Sequence, residues 1–419
     1  MLAIVIGLAI ATLAIDAAFN IQNIKIFGGI FAKGPQGAGR VLSTIASSML
    51  TVAGTTFSIA IVALQLASSQ FGPRMLRDFM QDRVSQIVLG TFTSTFLYCV
   101  LVLWTIEGDQ GKTFVPQFSI LVSVLLAIVS IGVLIYFIHH TAESIHADNL
   151  IAKINRELEN VIDRLFPQNL GQEPPEPKGW IEEIPTNFDD EACPVLSTCN
   201  GYIQRIDTDW LIKIAKDNDL LFRVLYRPGK FVVKGSELVK VWPGERVNQK
   251  LAAHINKAFI CGSQRTQEQD VEFPIKQLVE MAIRAISPAV NNPFTAIRCI
   301  DHLSAALSHL VQKDIPSPYR YDDKKNLRVI VDQVKFEGIV DAAFSQIRHY
   351  GRSDVSVTVR LLEAIAVIAA HTRNKKYRLV LLRHADMIVR GSQDGLPEEW
   401  DRKSVEEQYQ KLVRALKPQ

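Results

Sequence analysis

The chain has 419 residues, 48% of them hydrophobic and 21% charged, with a formal net charge of +3. So small an excess of basic residues, without interleaved aromatics, gives no reason to expect a nucleic-acid partner. Four stretches with no Asp, Glu, Lys, Arg or His exclude a wholly soluble protein: Met1–Ile15, Val41–Pro73, Val84–Ile106 and Thr113–Ile138.

In chain order, the first run is short for a crossing, and no basic segment precedes it as in a signal peptide. Ala17, Ala18 and Phe19 lengthen it, with Asp16 at an interface. Each of the other three exceeds the ~20 helical residues that cross a ~30 Å hydrocarbon core. The pattern predicts about four spans, near residues 1–19, 45–67, 85–106 and 117–139. The second span repeats hydroxyl residues every three or four positions: Ser47, Ser48, Thr51, Thr55 and Ser58 fall towards one side of a helix. Such a face serves close helix packing or lines a hydrated path. Tyr98 and Cys99 lie mid-span in the third run, and Trp104 suits an interfacial anchor. His139 and His140 close the fourth. Neighbouring residues diverge by ~100° on a helix, so the pair is read as interfacial rather than metal-binding.

Arg74, Arg77 and Arg83 lie between the second and third spans, against one lysine, Lys112, in the next loop. The positive-inside rule puts 68–83, and with it everything after Ile138, in the cytoplasm. Lys25, Lys33 and Arg40 in the first loop weigh against that assignment. The five cysteines, 99, 193, 199, 261 and 299, are odd in number and widely spaced. They imply no disulfide framework and suit a reducing compartment.

Beyond the spans, Ile145, Leu150, Ile151, Ile154, Leu158, Val161 and Ile162 recur at helical spacing, predicting a stalk helix that ends near Pro167. A Pro- and acid-rich linker follows, so 143–194 is read as stalk and linker. Residues 195–246 alternate as short strands around Arg227-Pro228-Gly229-Lys230 and Lys234-Gly235, a small β-rich, barrel-like domain similar to biotinyl-type sandwiches. No lysine sits in the Met-Lys-Met setting of a carrier domain. Residues 247–419 carry successive apolar stripes at helical period and predict a mainly α-helical domain, with a short extended piece near Arg328–Val334. The expected fold is thus a membrane all-α region (1–142) followed by a cytoplasmic region of two domains.

Several long strings resemble one family: GSQRTQEQDVEFPIKQLVEMAIRAISPAVNNPFTAIRCIDHL, SSMLTVAGTTFSIAIVALQLASSQFGPRMLRDFMQD, the span ending YFIHH, and GYIQRID with RPGKFVVKG. They are similar to the DUF2254 family of bacterial predicted membrane proteins of unknown function, over nearly the whole chain. The resemblance implies a multi-span inner-membrane protein with a C-terminal soluble region and no activity to carry over. Members of the family begin somewhat upstream, with a complete first helix.

Two polar clusters stand out in the helical region. Arg265, Thr266, Gln269 and Asp270 precede an amphipathic helix, and Asn291 and Asn292 lie between Pro288 and Pro293 at the next helix entry. Both are read as helix-entry structure or as ligand or subunit contacts; Arg265 of one copy would face Asn291 and Asn292 of another. Asp270, Asp301 and His302 match no spacing of a metalloprotease, P-loop or nucleophile-elbow motif. No catalytic residue, metal or cofactor is assigned. Two functions are expected: an oligomeric channel or transport-related protein with a cytoplasmic gating domain, or a non-conducting membrane-anchored sensor or scaffold. A membrane enzyme is the weaker third. The expected partners are further copies of the chain and the lipid bilayer, with an unidentified small molecule or ion as ligand.

Overall fold

A computed structural model describes residues 2–19, 34–71, 83–106, 114–144, 146–166 and 184–416. The basic loop around Arg74 and Arg77, the loop at Lys112 and most of the Pro-rich linker lie outside these. The chain divides into two compact units, 1–149 and 150–419.

In the first unit the charge-free stretches are helical: α1 Leu2–Phe19, α2 Pro35–Phe71, α3 Arg83–Ile106 and α4 Gln117–Ser144. Among the described residues three helices are long and apolar enough to cross a membrane, within α2, α3 and α4. The first of the four expected spans is not among these three: Ala3–Ala18 is a shorter apolar helix among the described residues. Its one carboxylate bonds across to the start of α4. Asp16 is buried and accepts the backbone N–H of Phe118 and of Ser119, both at 2.9 Å, and the Ser119 hydroxyl at 2.7 Å. It thereby satisfies the open N–H groups that begin α4. Thr12 extends the chain of bonds to the Tyr98 hydroxyl (2.9 Å), which donates to the Ser119 carbonyl at 3.2 Å. Around these polar groups α1, α2, α3 and α4 pack Ala9, Leu42, Tyr98, Val102 and Ile120. Large apolar side chains such as Ile59, Leu66, Trp104, Leu125 and Ile135 stay exposed, as lipid-facing positions require.

In the second unit α5 (Ala147–Leu165) buries Ile151, Ile154, Leu158, Val161 and Ile162. It is tied down by Asp163, which meets His309 and Lys313 at 2.8 Å each, and by Arg164 donating to the Gln267 carbonyl at 2.8 Å.

The strands are β1 Cys193–Leu196, β2 Gly201–Ile206, β3 Leu221–Val224, β4 Phe231–Val232, β5 Glu237–Trp242, β6 Phe259–Gly262, β7 Tyr319–Tyr321 and β8 Leu327–Ile330. They form two open sheets, ordered β1-β5-β3-β8-β7 and β4-β2-β6. The barrel-like expectation is therefore corrected: no closed barrel forms. The reason is non-local pairing, since β3 takes β8 as a parallel neighbour from over a hundred residues away. That crossover adds β8 and β7 to the first sheet, and in neither sheet do the two outer strands pair with each other among the described residues. Ile203, Leu211, Phe222, Val239, Val241, Ile255 and Val329 make their shared core, together with α6 (Thr208–Asp217) and α7 (Gln249–Asn256). Pairing of β2 with β6 also brings Cys199 to Cys261, and the two are disulfide-bonded. The expectation of no disulfide is corrected here; a 62-residue separation carries no local sign of such a bond.

Helices α8 Glu272–Ala285, α9 Pro293–Leu310, α10 Phe336–Gly351, α11 Val355–Ala370, α12 Lys375–Gly395 and α13 Glu399–Leu416 form a layered helical region. Their starts are legible. Asn292 caps α9 through Thr295 N–H (3.3 Å) ahead of Pro293, Asp354 caps α11 through Val357 N–H (3.0 Å), and Asn374 caps α12 through Lys376 N–H (2.9 Å). Each such cap contributes about 1 kcal/mol. Helix α8 packs on α9 and α10, and α10 on α12.

Candidate functional site

The polar segment between β6 and α8 lies along β2. Gln269 grips the Ile206 backbone on both sides, its Nε2 donating to the carbonyl (3.2 Å) and its Oε1 accepting the N–H (2.9 Å). Thr266 Oγ1 donates to the Gln204 carbonyl at 3.5 Å. Held this way, Arg265 points its Nε at Asp270 Oδ2, 2.7 Å away, and Asp270 Oδ1 accepts the Glu272 N–H at 3.1 Å, next to the start of α8. Asp270 and Glu272 are both buried.

Glu272 is the meeting point. The Arg227 guanidinium binds its Oε1, Lys276 Nζ lies 3.1 Å from its Oε2, and Arg265 Nη2 lies 3.8 Å from the same oxygen. Arg227 also reaches Asp332 at 3.4 Å. Arg227 comes from the β3–β4 turn, where Gly229 has φ +86° and packs directly on the Arg265–Asp270 pair. Burial pushes the Asp270 carboxyl above its ordinary range despite the Arg265 guanidinium. For Glu272, burial pushes the same way, but Arg227 and Lys276 outweigh it and the carboxyl lies below its ordinary range. This network is an electrostatic lock among the turn, the loop and α8. Its carboxylates are matched by guanidinium or ammonium groups, which ties the three segments together.

Arg227 lies in the wall of two cavities. One is a groove of about 1090 Å³ whose lining includes Lys230, Glu272, Lys276, Arg284, Asp341 and Arg383. There Asp341 accepts from Arg383 (2.7 Å) and from the fully buried His384 (2.8 Å). Burial holds the His384 imidazole below its ordinary value although Asp341 opposes it. The other is a smaller pocket of about 220 Å³.

Asn291 and Asn292 are exposed at the opposite end of α8, a helix of 14 residues and so ~21 Å long. Asn291 has φ +48°, and Asn292 spends its side chain on the α9 cap. One copy of the chain does not bring the two polar clusters together, and the charges of Arg265 and Asp270 are satisfied internally. In the first unit Ser47, Ser48, Thr51, Thr55 and Ser58 are all exposed, while Leu42, Ala46, Met49, Thr56 and Ala60 on the other side of α2 are buried. Sequence reasoning missed Arg227, Asp332 and Arg320. Arg227 shows in the sequence only as a turn residue, and nothing local announces the other two.

A profile described as "Predicted membrane protein (DUF2254)" matches residues 1–367. Uncharacterized proteins of Mycobacterium tuberculosis and Mycobacterium bovis are each 30% identical to the chain over 410 residues, covering 96% of this chain and 77% of theirs. No solved structure matches it. With three membrane-length apolar helices ahead of a mixed α/β and helical region, and a family match over most of its length, the chain belongs to the DUF2254 family of predicted membrane proteins.

Proposed function

We propose that the protein is a homo-oligomeric, transport-related membrane protein, with the hydroxyl face of α2 between copies and along a hydrated path, and the second unit as its cytoplasmic regulatory part. The observation that carries this reading is the position of Ser47, Ser48, Thr51, Thr55 and Ser58. They span roughly 100° of the helix at 100° per residue, opposite its buried face, and all are exposed in the single copy. Ser47, Thr51 and Thr55 donate to carbonyls of their own helix, at 3.2, 2.9 and 3.0 Å. Their oxygens keep acceptor capacity that lipid cannot use and that a neighbouring helix or water can. Few-span subunits enclose a path only by closed symmetric assembly.

Thr51→Leu and Thr55→Leu are expected to weaken assembly, measured by native mass spectrometry in nanodiscs, and to reduce solute flux through proteoliposomes. Monomers from the unaltered chain, or unchanged assembly in both variants, would defeat the oligomer. Oligomers without flux would favour the second reading, a non-conducting sensor, which the two cavities of the second unit, each with charged side chains in its wall, support.

Cytoplasmic placement of the second unit rests on Arg74, Arg77 and Arg83. The Cys199–Cys261 bond pulls the other way, since a reducing compartment keeps such pairs as thiols. Lys230→Cys, in a background with the native cysteines replaced, decides between them because Lys230 is exposed. The thiol is expected to resist a membrane-impermeant maleimide in intact cells; labelling there reverses the topology.

A further inference from the structure

The smaller pocket in the second unit has a charge that no carboxylate among the described residues answers. Phe166, Ile206, Val224, Ile315, Val331 and Val334 supply its apolar walls. Three charged groups line it: Arg227, Asp332 and Arg320. Arg227 and Asp332 face each other at 3.4 Å. Arg320 has no carboxylate partner among the described residues. Its Nη1 donates to two neutral carbonyls, that of Ser317 and that of Tyr319, the latter at 3.1 Å. Burial lowers the stability of its charged form. The lining thus carries one net positive charge in largely apolar surroundings.

Uncompensated donors accompany it. The hydroxyls of Tyr226 and Thr208 line the same pocket and make no hydrogen bond among the described residues. Gln269, by contrast, is spent on the Ile206 backbone, and Gln333 Nε2 on the Pro316 carbonyl at 2.9 Å. Apolar walls with a few convergent polar groups are the usual make-up of a small-molecule site.

We propose that this pocket binds a small monocarboxylate with an apolar body, its carboxylate on the Arg320 guanidinium and its apolar part against Ile206, Ile315 and Val331. The volume of about 220 Å³ equals about seven water-sized units at ~30 Å³ each, and because covalently bonded atoms sit closer together than separate waters it admits a ligand of roughly seven to ten non-hydrogen atoms. A guanidinium presents paired N–H groups that match a planar carboxylate. Monovalence follows from the charge balance: the second charge of a phosphate dianion would be buried without a partner, which apolar walls penalise. This assignment is independent of assembly and flux, because it concerns one unit of one chain.

Benzoate is a suitable probe, titrated calorimetrically into the full-length protein in detergent, with benzamide as its uncharged isostere and inorganic phosphate as the generic anion. Benzoate is expected to bind with Kd of roughly 0.1–1 mM, and benzamide and phosphate at least about tenfold more weakly. Arg320→Met should weaken benzoate by about tenfold or more, Arg320→Lys less, and Tyr226→Phe by a few-fold. Val334→Phe, which keeps the charge but fills the space, should abolish binding and covers the case in which Arg320→Met does not fold. No benzoate heat up to about 10 mM, equal binding of benzamide or phosphate, or unaltered binding in Arg320→Met or Val334→Phe would each overturn the assignment.

Discussion

Replacing Arg265 with methionine is expected to destabilise the second unit by about 3–5 kcal/mol at neutral pH, the usual cost of removing one partner from a buried ion pair. Asp270 is 5% exposed, and Arg265 is its direct cationic partner, through Nε at 2.7 Å. The variant would leave a carboxylate in a site that already pushes it towards the neutral form. The same reasoning sets the sign of the pH dependence. A carboxyl whose folded pKa lies above its unfolded value costs stability when ionised, and that cost disappears as pH falls through the folded pKa. Without Arg265 the pKa of Asp270 rises further. The difference between variant and unaltered chain should therefore be largest at neutral pH and shrink on acidification. Glu272, held below its ordinary range, works in the opposite sense, its stabilisation fading as pH falls through its folded pKa. It keeps Arg227 and Lys276 in both proteins and loses only the more distant Arg265 contact at 3.8 Å, so Asp270 dominates the difference at each pH. Arg265→Met with Asp270→Leu should recover much of the loss, as paired apolar replacements of buried ions commonly do. Denaturant unfolding of the full-length protein in detergent measures all three. A loss under about 1 kcal/mol at neutral pH, in the range of exposed pairs, would show that the pair is not isolated from solvent.

Much of this architecture is legible in the sequence, for reasons that separate local from distant causes. The membrane helices follow from runs without charge, and the start of α9 follows from Asn292-Pro293, because helices and caps are decided within a few residues. The exposed face of α2 is likewise a matter of helical period. Pairing is another matter. Alternation marks 221–224 as extended but does not reveal that β8 lies beside it, so a barrel is expected where open sheets form. Asp16 shows the same limit. Its place at the end of an apolar run suggests an interface, yet its partners, Phe118 and Ser119, lie about a hundred residues on. At the polar corner, Arg265, Asp270 and Glu272 are visible as one local cluster; the pairing of Glu272 with Arg227 is not, because a turn and a helix meet only after folding. Arg320 has no sequence signal. Its interest comes from having no carboxylate beside it among the described residues, and such a lack is visible only in three dimensions.

The β3–β4 turn gives a second large expected effect, with an internal control. Gly229 and Gly235 have nearly the same backbone angle, φ +86° and +89°. Alanine at either position meets the left-handed penalty of about 1–2 kcal/mol. Around Gly235 a Cβ finds nothing within 4 Å, whereas at Gly229 it lands on the Asp270 carboxylate and 2.8 Å from Arg265 Nη2. The turn cannot easily lift away. Gly229 N–H donates to the Ile203 carbonyl at 2.8 Å, and Ile203 N–H to the Lys230 carbonyl at 2.9 Å. Gly235→Ala should therefore cost about 1 kcal/mol and Gly229→Ala at least about 3 kcal/mol, the excess coming from a displaced buried ion pair. Asp270→Ala should absorb that excess: in its presence Gly229→Ala should cost no more than Gly235→Ala, a coupling expected only of residues in contact. Equal costs for the two glycine variants in the unaltered background would show that backbone angle alone decides. The turn also carries Arg227 and Pro228 into the wall of the Arg320 pocket. A turn forced off the lock at Gly229 moves that wall, while one strained at Gly235 leaves it in place. Benzoate binding should accordingly fall in Gly229→Ala and persist in Gly235→Ala, so that one glycine links the buried ion pair to the shape of the binding site.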